Sequence, residues 1–291
     1  MVATRLRVAF PHPAEAPEVV ELFDNEFIFS RERSISFARR FSDVFSVPEC
    51  FVAVGSVAGD VVGALLVRPF TWSEGAREWR GAMMGLVCTK PRFRRQGYAA
   101  QLLAASEARC CALDLDFGVL WAAHDGLYGR QGWIRSDRGM LGVRRAGQAG
   151  AVPVPPLAAA NLVRAAHALH EAREGPRVNR RLSNYRHLLP PAEHVVVLVE
   201  GDSYALCGCH DQTGYVYDIV GTGREMPGLW HKLAAHFGDI YVNVELGTSA
   251  HRWLEAHAGL AWSKQSLAMW KPLRRDSIPF AAWYVPFMDR I

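Results

Sequence analysis

Apolar positions change period several times along the first half of the chain, and each change marks an element. Leu6 to Phe10 is a short β-prone run. Ala14 to Phe23 follows with Val19, Val20, Leu22 and Phe23 at helical spacing behind a proline-rich cap. Phe51 to Val54 and Val61 to Val67 read as strands joined by the turn residues Ser56-Val-Ala-Gly-Asp60, and Ala82 to Cys88 completes an antiparallel meander. Gly97 to Cys111 carries Ala100, Leu103, Ala104, Glu107 and Ala108 in a 3.6-residue rhythm, and Gly118 to Ala123 returns to a buried strand. The predicted order is β-α-βββ-α-β.

A Pro/Ala/Gly-rich stretch, Ala146 to Ala159, then punctuates the chain and reads as a linker. Beyond it the pattern repeats. His194 to Glu200, Tyr204 to Cys209 and Tyr215 to Val220 echo the first meander, with Gly201-Asp202 as its turn. Pro227 to Phe237 echoes the helix, and Ile240 to Val244 the next strand. Trp253 to Gly259 followed by Trp262 to Trp270 resembles Tyr128 to Gly132 followed by Trp133 to Val143. The expectation is an α+β (α/β) protein with a duplicated fold: residues 1–145 as one domain, 146–160 as linker and 161–291 as a second copy, each a mixed, mostly antiparallel sheet flanked by helices.

Composition narrows the class without naming a chemistry. Of 291 residues, 50% are hydrophobic and 21% charged, which suits a globular protein with a core rather than a disordered chain. The net charge of +4 is small, and no Lys/Arg run interleaved with aromatics follows a nucleic-acid backbone. No apolar stretch approaches the roughly 20 residues needed to cross a bilayer, and Met1 to Pro13 lacks the apolar centre of a secretion signal, so a cytoplasmic protein without nucleic-acid or membrane partners is expected. The six cysteines lack zinc-site spacing and read as buried thiols. In Cys207-Gly-Cys209-His210, strand alternation points Cys209 and His210 to opposite faces, so no metal is expected.

Two segments carry candidate chemistry. Thr89-Lys-Pro-Arg-Phe-Arg-Arg-Gln-Gly-Tyr-Ala99 places a basic, glycine-containing turn between a strand and a helix. The first helical turn leaves backbone N–H groups unpaired, and the helix dipole adds about half a positive charge there, so a pyrophosphate is a natural ligand. Gly97 allows close backbone approach, Ala99 keeps the next turn small, and Arg94 and Arg95 add positive charge at the entrance. In the second copy, Gly221-Thr-Gly-Arg-Glu-Met-Pro227 replaces this turn. Its proline removes a donor and Glu225 repels phosphate, so that copy is expected to be degenerate. The second segment, Leu120 to Trp133, contains Tyr128-Gly-Arg-Gln-Gly132-Trp133 after a buried strand.

Arg94-x-x-Gly97-x-Ala99 resembles the acyl-CoA pyrophosphate motif of the GNAT superfamily of N-acetyltransferases, and Tyr128-x-x-x-Gly132-Trp133 matches the Tyr-x-x-x-Gly-aromatic pattern that follows it there. Between about Val87 and Trp133 the chain resembles most closely the enhanced intracellular survival (Eis) family of acetyltransferases. Members of that family bear a third, sterol-carrier-like region for which this sequence has no room. The resemblance implies an N-acetyltransferase that uses acetyl-CoA and a small-molecule or peptide amine, with room for a homo-oligomer. It implies backbone contacts to pantetheine from Val87, Cys88 and Thr89, pyrophosphate contacts from Arg95, Gln96, Gly97, Tyr98, Ala99 and Ala100, and flanking by Ala123 and His124. It also implies Tyr128 as the acid that protonates the departing thiolate, and the Ile291 carboxylate as base.

Other bases stay open at this level. His124 and Asp125 are nearest in sequence to Tyr128, and histidine's reference pKa of about 6.5 suits base work. A water-mediated base is the third choice. His167 to Arg181 reads as a solvated, charge-laced face on a helix interrupted at Gly175-Pro176. Trp72, Trp79, Trp121 and Trp133 fall where they serve either as aromatic walls of a cleft or as core. Two rival functions share the site: an acyl-CoA sensor without turnover, and an acyltransferase that takes a longer acyl-CoA.

Overall fold

The computed structural model describes residues 4–8, 15–27, 50–145, 160–173, 175–182, 185, 194–210, 212–274 and 278–290. The linker expected at 146–160 lies outside these residues except for its last position. The elements are β1 (Thr4–Val8), α1 (Ala16–Phe27), β2 (Phe51–Val57), β3 (Asp60–Glu74), β4 (Arg77–Thr89), α2 (Tyr98–Ala112), β5 (Phe117–Trp121), α3 (Gly126–Gly129), β6 (Ile134–Arg135) and β7 (Gly139–Arg144). They continue with α4 (Ala160–Ala172), β8 (Arg177–Val178), β9 (His194–Glu200), β10 (Ser203–His210), β11 (Thr213–Val220), α5 (Met226–His236), β12 (Ile240–Glu245), α6 (Ser249–His257), β13 (Ala261–Lys264) and β14 (Ala268–Pro272). No helix among the described residues is long and apolar enough to cross a membrane.

These elements form two mixed sheets flanked by helices, one in each of two compact units. The units are residues 1–136 and 267–280, and residues 137–266 and 281–290. The first sheet runs β1-β2-β3-β4-β5-β14-β6, antiparallel throughout except for β4 beside β5. One face is covered by α2 through Leu102, Leu103 and Cys110, packed on Phe51, Leu65, Val67, Met84 and Leu120. The other is covered by α1 through Val19, Leu22 and Phe23, packed on Val52, Val54, Val61 and Leu66. The i, i+3, i+4 spacing on α1 thus meets the period-2 pattern of the strands.

The second sheet runs β13-β7-β12-β11-β10-β9, again with a single parallel pair, β11 beside β12. Its core joins α5 (Met226, Leu229, Leu233) and α6 (Ala250, Leu254) to Val196, Ala205, Val216 and Val242. The duplication legible in the sequence is therefore present as two sheets of matching strand order. The division of the chain differs from the expected 1–145 and 161–291. Strand β7 pairs with β12 in the second sheet, while β14 pairs with β5 in the first. The two copies have exchanged the strand that follows their central parallel pair. Both strands are short and apolar enough to complete either sheet, so only the non-local pairing distinguishes them.

In the second unit, four polar side chains from distant segments converge on Arg180, which is fully buried. Its guanidinium meets Asp289 at 2.9 and 2.6 Å and Asp218 at 2.7 Å, and the Tyr204 hydroxyl donates to Asp218 at 2.7 Å. His170 lies 3.2 Å from that hydroxyl and 2.8 Å from the Val178 carbonyl. The solvated face expected over His167 to Arg181 is corrected at these positions: His170 and Arg180 are interior, and the carboxylates that pair with Arg180 come from β11 and the C-terminal segment. Of the four tryptophans, Trp72, Trp79 and Trp133 are buried core residues and Trp121 is half-buried.

A splayed strand pair and the cleft beside it

The site begins where β4 and β5 part. Their parallel pairing covers Gly81↔Phe117, Ala82↔Gly118 and Met83↔Val119 and then stops, although β4 runs on to Thr89 and β5 to Trp121. The cause lies on the other side of β4. Leu66 pairs with Gly85 and Ala64 with Cys88, so Leu86 and Val87 together oppose the single residue Leu65. Leu86 adopts φ +55°, a left-handed conformation costly for a branched side chain. This bulge bends β4 away from β5 and leaves its backbone past Met83 without a strand partner on that side among the described residues.

The chain then turns into α2. A single 3-10 turn at Pro91–Phe93 leads to Arg95 at φ +63° and Gly97 at φ +85°, and the helix starts at Tyr98 without a side-chain cap. Two left-handed residues in three fold the loop back on itself, so that the amides of Tyr98, Ala99 and Ala100 have no acceptor among the described residues. The loop braces itself: Gln96 Nε2 donates to the Arg92 carbonyl at 3.3 Å, Arg94 Nε donates to the Thr89 carbonyl at 3.0 Å, and the Phe93 and Tyr98 rings meet edge-on at 6.2 Å.

Tyr128 reaches the same place from α3. Arg135 holds the preceding loop, donating to the Ala122 carbonyl at 3.0 Å and pairing with Asp125. After the helix, Gly132 (φ +83°) turns the chain so that Trp133 lies over Gly118, where any Cβ would sit 2.7 Å from the indole. Trp133 Nε1 donates to Glu107 of α2 at 2.9 Å, and Gln131 Nε2 donates to the Ala100 carbonyl at 2.9 Å. The turn bearing Tyr128 is thereby tied to the first turn and the middle of α2.

Between these elements lies a cleft of about 560 Å³ lined by Val87, Cys88 and Thr89 of β4, by Phe93, Arg94, Arg95, Gly97, Tyr98, Ala99 and Ala100 of the loop and helix start, and by Leu127, Tyr128, Arg130 and Gln131. Ten of the residues expected from the sequence thus meet around one space. Gln96 braces the loop without lining the cleft, and Ala123 and His124 are exposed on the loop before α3, outside its wall. Ile291 lies outside the described residues. Phe93, Leu127, Arg130 and Gln131 had not been singled out, although all four fall inside the two quoted segments.

The electrostatics of the cleft are selective. Burial raises the Tyr128 phenol above its ordinary value, so it stays protonated through neutral pH. Burial also pushes the Cys88 thiol well up, and the thiol donates to the Ala64 carbonyl at 3.6 Å, which leaves it a poor nucleophile. Asp125 is held below the ordinary carboxylate range by its hydrogen bond to Arg135, which argues against its use as a base. Gln131 Oε1 and Thr89 Oγ1 are buried and lack hydrogen-bond partners among the described residues.

The second unit repeats the splay but closes it. Pairing of β11 with β12 stops at Val216↔Val242, and Tyr217 is the extra residue of a matching bulge. There Asn243 Nδ2 donates to the Val216 carbonyl at 3.1 Å, its Oδ1 accepts from Gln265 Nε2 at 2.6 Å, and Gln265 Oε1 accepts from Arg290 at 2.8 Å. At the start of α5, Glu225 is engaged by Thr222, and Pro227 occupies the first turn. Side chains fill what remains open in the first unit.

Residues 9–135 match the family model described as an acetyltransferase (GNAT) domain. No curated protein matches by sequence. Solved structures resemble the chain over most of its length. A GCN5-related N-acetyltransferase from Anabaena variabilis is 12% identical, with a TM-score of 0.70 over 93% of this chain and 73% of that one. One from Kribbella flavida is 15% identical, with 0.67 over 92% and 71%. Eis1 from Mycobacterium abscessus is 15% identical, with 0.62 over 93% and 74%. At such identities the likeness establishes the fold.

Proposed function

We infer, from the premise that residues 9–135 are a GNAT acetyltransferase domain, that this acyltransferase moves an acetyl group from acetyl-CoA to a primary amine by direct attack, with Tyr128 as the general acid. The observation that carries the reading is the single cleft shared by the bulged end of β4, the uncapped start of α2 and the Tyr128 side chain. Its size suits an extended cofactor-sized ligand. Gly97 supports a diphosphate there, because the left-handed turn turns three amides outward at the positive end of a 15-residue helix. The unpaired edge of β4 supports an amide-bearing arm lying along it as an added strand.

In this reading the amine nitrogen attacks the thioester carbonyl carbon, and negative charge on the carbonyl oxygen is met by a backbone amide within Val87 to Thr89. The C–N bond forms, the C–S bond breaks, the departing thiolate takes the phenolic proton of Tyr128, and the amine proton passes to a base. The raised pKa of Tyr128 supports the acid role. The unreactive Cys88 thiol favours direct transfer over an acetyl-enzyme. His124, exposed and outside the cleft wall, serves as base only through a water.

The test is thiol release from acetyl-, propionyl- and longer acyl-CoA with a panel of small-molecule and peptide amines. Amine-dependent release is the expected outcome, fastest with acetyl-CoA. Binding of CoA without release from any donor would replace the enzyme by a sensor, and fastest release from a longer donor would change the acyl group.

A further inference from the structure

The two ends of the second sheet are built differently. β13, at one end, has four residues, three of them exposed, and closes on Lys264. Shortness and a lysine are common ways for a sheet edge to avoid pairing with another chain. β9, at the other end, has seven residues with an unbroken apolar run from Val195 to Val199. Val196 and Leu198 are buried in the core that includes Leu229 and Leu233 of α5, and Val197 in the one that includes Ala166 of α4. Covered on both faces, β9 has the character of a central strand, yet β10 is its only strand partner among the described residues. Gly201-Asp202 is a two-residue turn, so Glu200 and Ser203 form a hydrogen-bonded pair, as do Leu198 with Ala205 and Val196 with Cys207. The N–H and C=O groups of Val195, Val197 and Val199 therefore point away from β10. One of them is engaged: Lys232 Nζ of α5 donates to the Val199 carbonyl at 3.2 Å and pairs with Glu200.

We propose that the outer edge of β9 is a self-association surface, complementary to β9 of a second copy of this chain in antiparallel pairing, and that Lys232 holds it unpaired by occupying the Val199 carbonyl. A two-fold axis at Val197 sets each outward N–H opposite an outward C=O: Val197 meets its own equivalent, and Val199 meets Val195 of the second copy. Such a ladder forms roughly six hydrogen bonds, and because both chains use the same surface, it closes at two copies. The same register sets Val196 opposite Leu198 and Glu200 opposite position 194, a histidine, so no like charges face each other across the axis. Lys232 works against this pairing in two ways. While its ammonium holds the Val199 carbonyl in each copy, roughly a third of the ladder cannot form. An incoming strand would also strip water from that charge, which is unfavourable. The lysine therefore does for a long edge what shortness does for β13.

The experiment measures the mass in solution of the full chain at rising concentration by sedimentation equilibrium, for wild type, Lys232→Met, Lys232→Arg and the double variant Lys232→Met/Val197→Pro. Methionine keeps an unbranched stem but has no donor and no charge. Lys232→Met is expected to associate in one step, its mass about doubling relative to wild type at the same concentration. Lys232→Arg keeps a charged donor and should match wild type. Proline at 197 removes an outward N–H that the pairing with β10 does not use, so adding it should abolish the doubling. Residue-resolved amide exchange reads the same edge directly: the amides of Val195, Val197 and Val199 should exchange freely in wild type and become protected in Lys232→Met as concentration rises. The proposal is overturned if Lys232→Met keeps the wild-type mass throughout, if it associates while those three amides still exchange freely, or if Lys232→Arg associates equally. Protection of the three amides in wild type would overturn it too. Should the double variant not fold, amide exchange in Lys232→Met decides alone.

Discussion

Replacing Gly97 by alanine tests the phosphate cradle by its backbone alone. Gly97 sits at φ +85°, ψ 1°, and a Cβ built there would meet only Gln101 Nε2, at 3.8 Å. Nothing clashes, so the whole cost is conformational, about 1–2 kcal/mol for a non-glycine residue in the left-handed region. If the turn holds its shape, that cost appears as lost stability and CoA affinity is unchanged. If the turn relaxes, stability is spared, but the amides of Tyr98 to Ala100 must be realigned on binding, and the same 1–2 kcal/mol appears as a roughly five- to thirtyfold weaker complex. The CoA-bound state loses that amount relative to the unfolded chain either way. Denaturant unfolding with and without saturating CoA, beside calorimetric titration, measures both parts. Gly59 is the control, at φ +93° in the β2–β3 turn with nothing within 4 Å of its Cβ: Gly59→Ala should lower stability and leave CoA affinity alone. A Gly97→Ala protein that matches wild type in both stability and affinity would refute the reasoning.

Three further outcomes follow from buried groups. Asp289→Asn leaves the Arg180 charge under-compensated in the interior of the second unit and should cost about 3–5 kcal/mol in urea unfolding; a loss below about 1 kcal/mol would show the triad contributes little. Burial, and then the Arg180 charge, hold His170 down to about 2, so the folded protein keeps it neutral while the unfolded chain protonates it below about pH 6.5. Its contribution is complete well above that pH and falls by about 1.4 kcal/mol per unit below it, so between pH 8.5 and 4.5 wild type should lose about 2.7 kcal/mol more than His170→Gln, and parallel stability profiles would contradict this. Cys88→Ser should retain activity within about threefold, and intact-mass measurement during turnover should show no acetylated protein; an acetyl adduct on Cys88 would replace direct attack by a two-step route.

Those groups also show which features the sequence made legible. Gly97 could be found from sequence because its requirement is local: a glycine just before an amphipathic helix and just after basic residues has few other uses. Tyr128, Gly132 and Trp133 were visible for the same reason, each fixed by its neighbours within one turn. The bulge at Leu86 and Val87 was not, because it consists of the offset between Leu66↔Gly85 and Ala64↔Cys88, and three successive apolar residues carry no mark of it. The exchange of β7 and β14 was hidden likewise, since each strand's own pattern suits either sheet. Residues 170, 180, 218 and 289 are polar positions in four separate segments, and their union inside the second unit depends on tertiary contacts that no local period encodes.

The central claim is that the Tyr128 hydroxyl supplies the proton to the leaving thiolate. Tyr128→Phe removes that one oxygen while keeping the ring that packs beside the α2 face of the core. The decisive measurement is kcat for amine-dependent thiol release, with CoA affinity determined on the same preparations. The account predicts a fall in kcat of about 10²–10⁴-fold, with CoA affinity within about twofold of wild type. A Tyr128→Phe protein that turns over at the wild-type rate would contradict it.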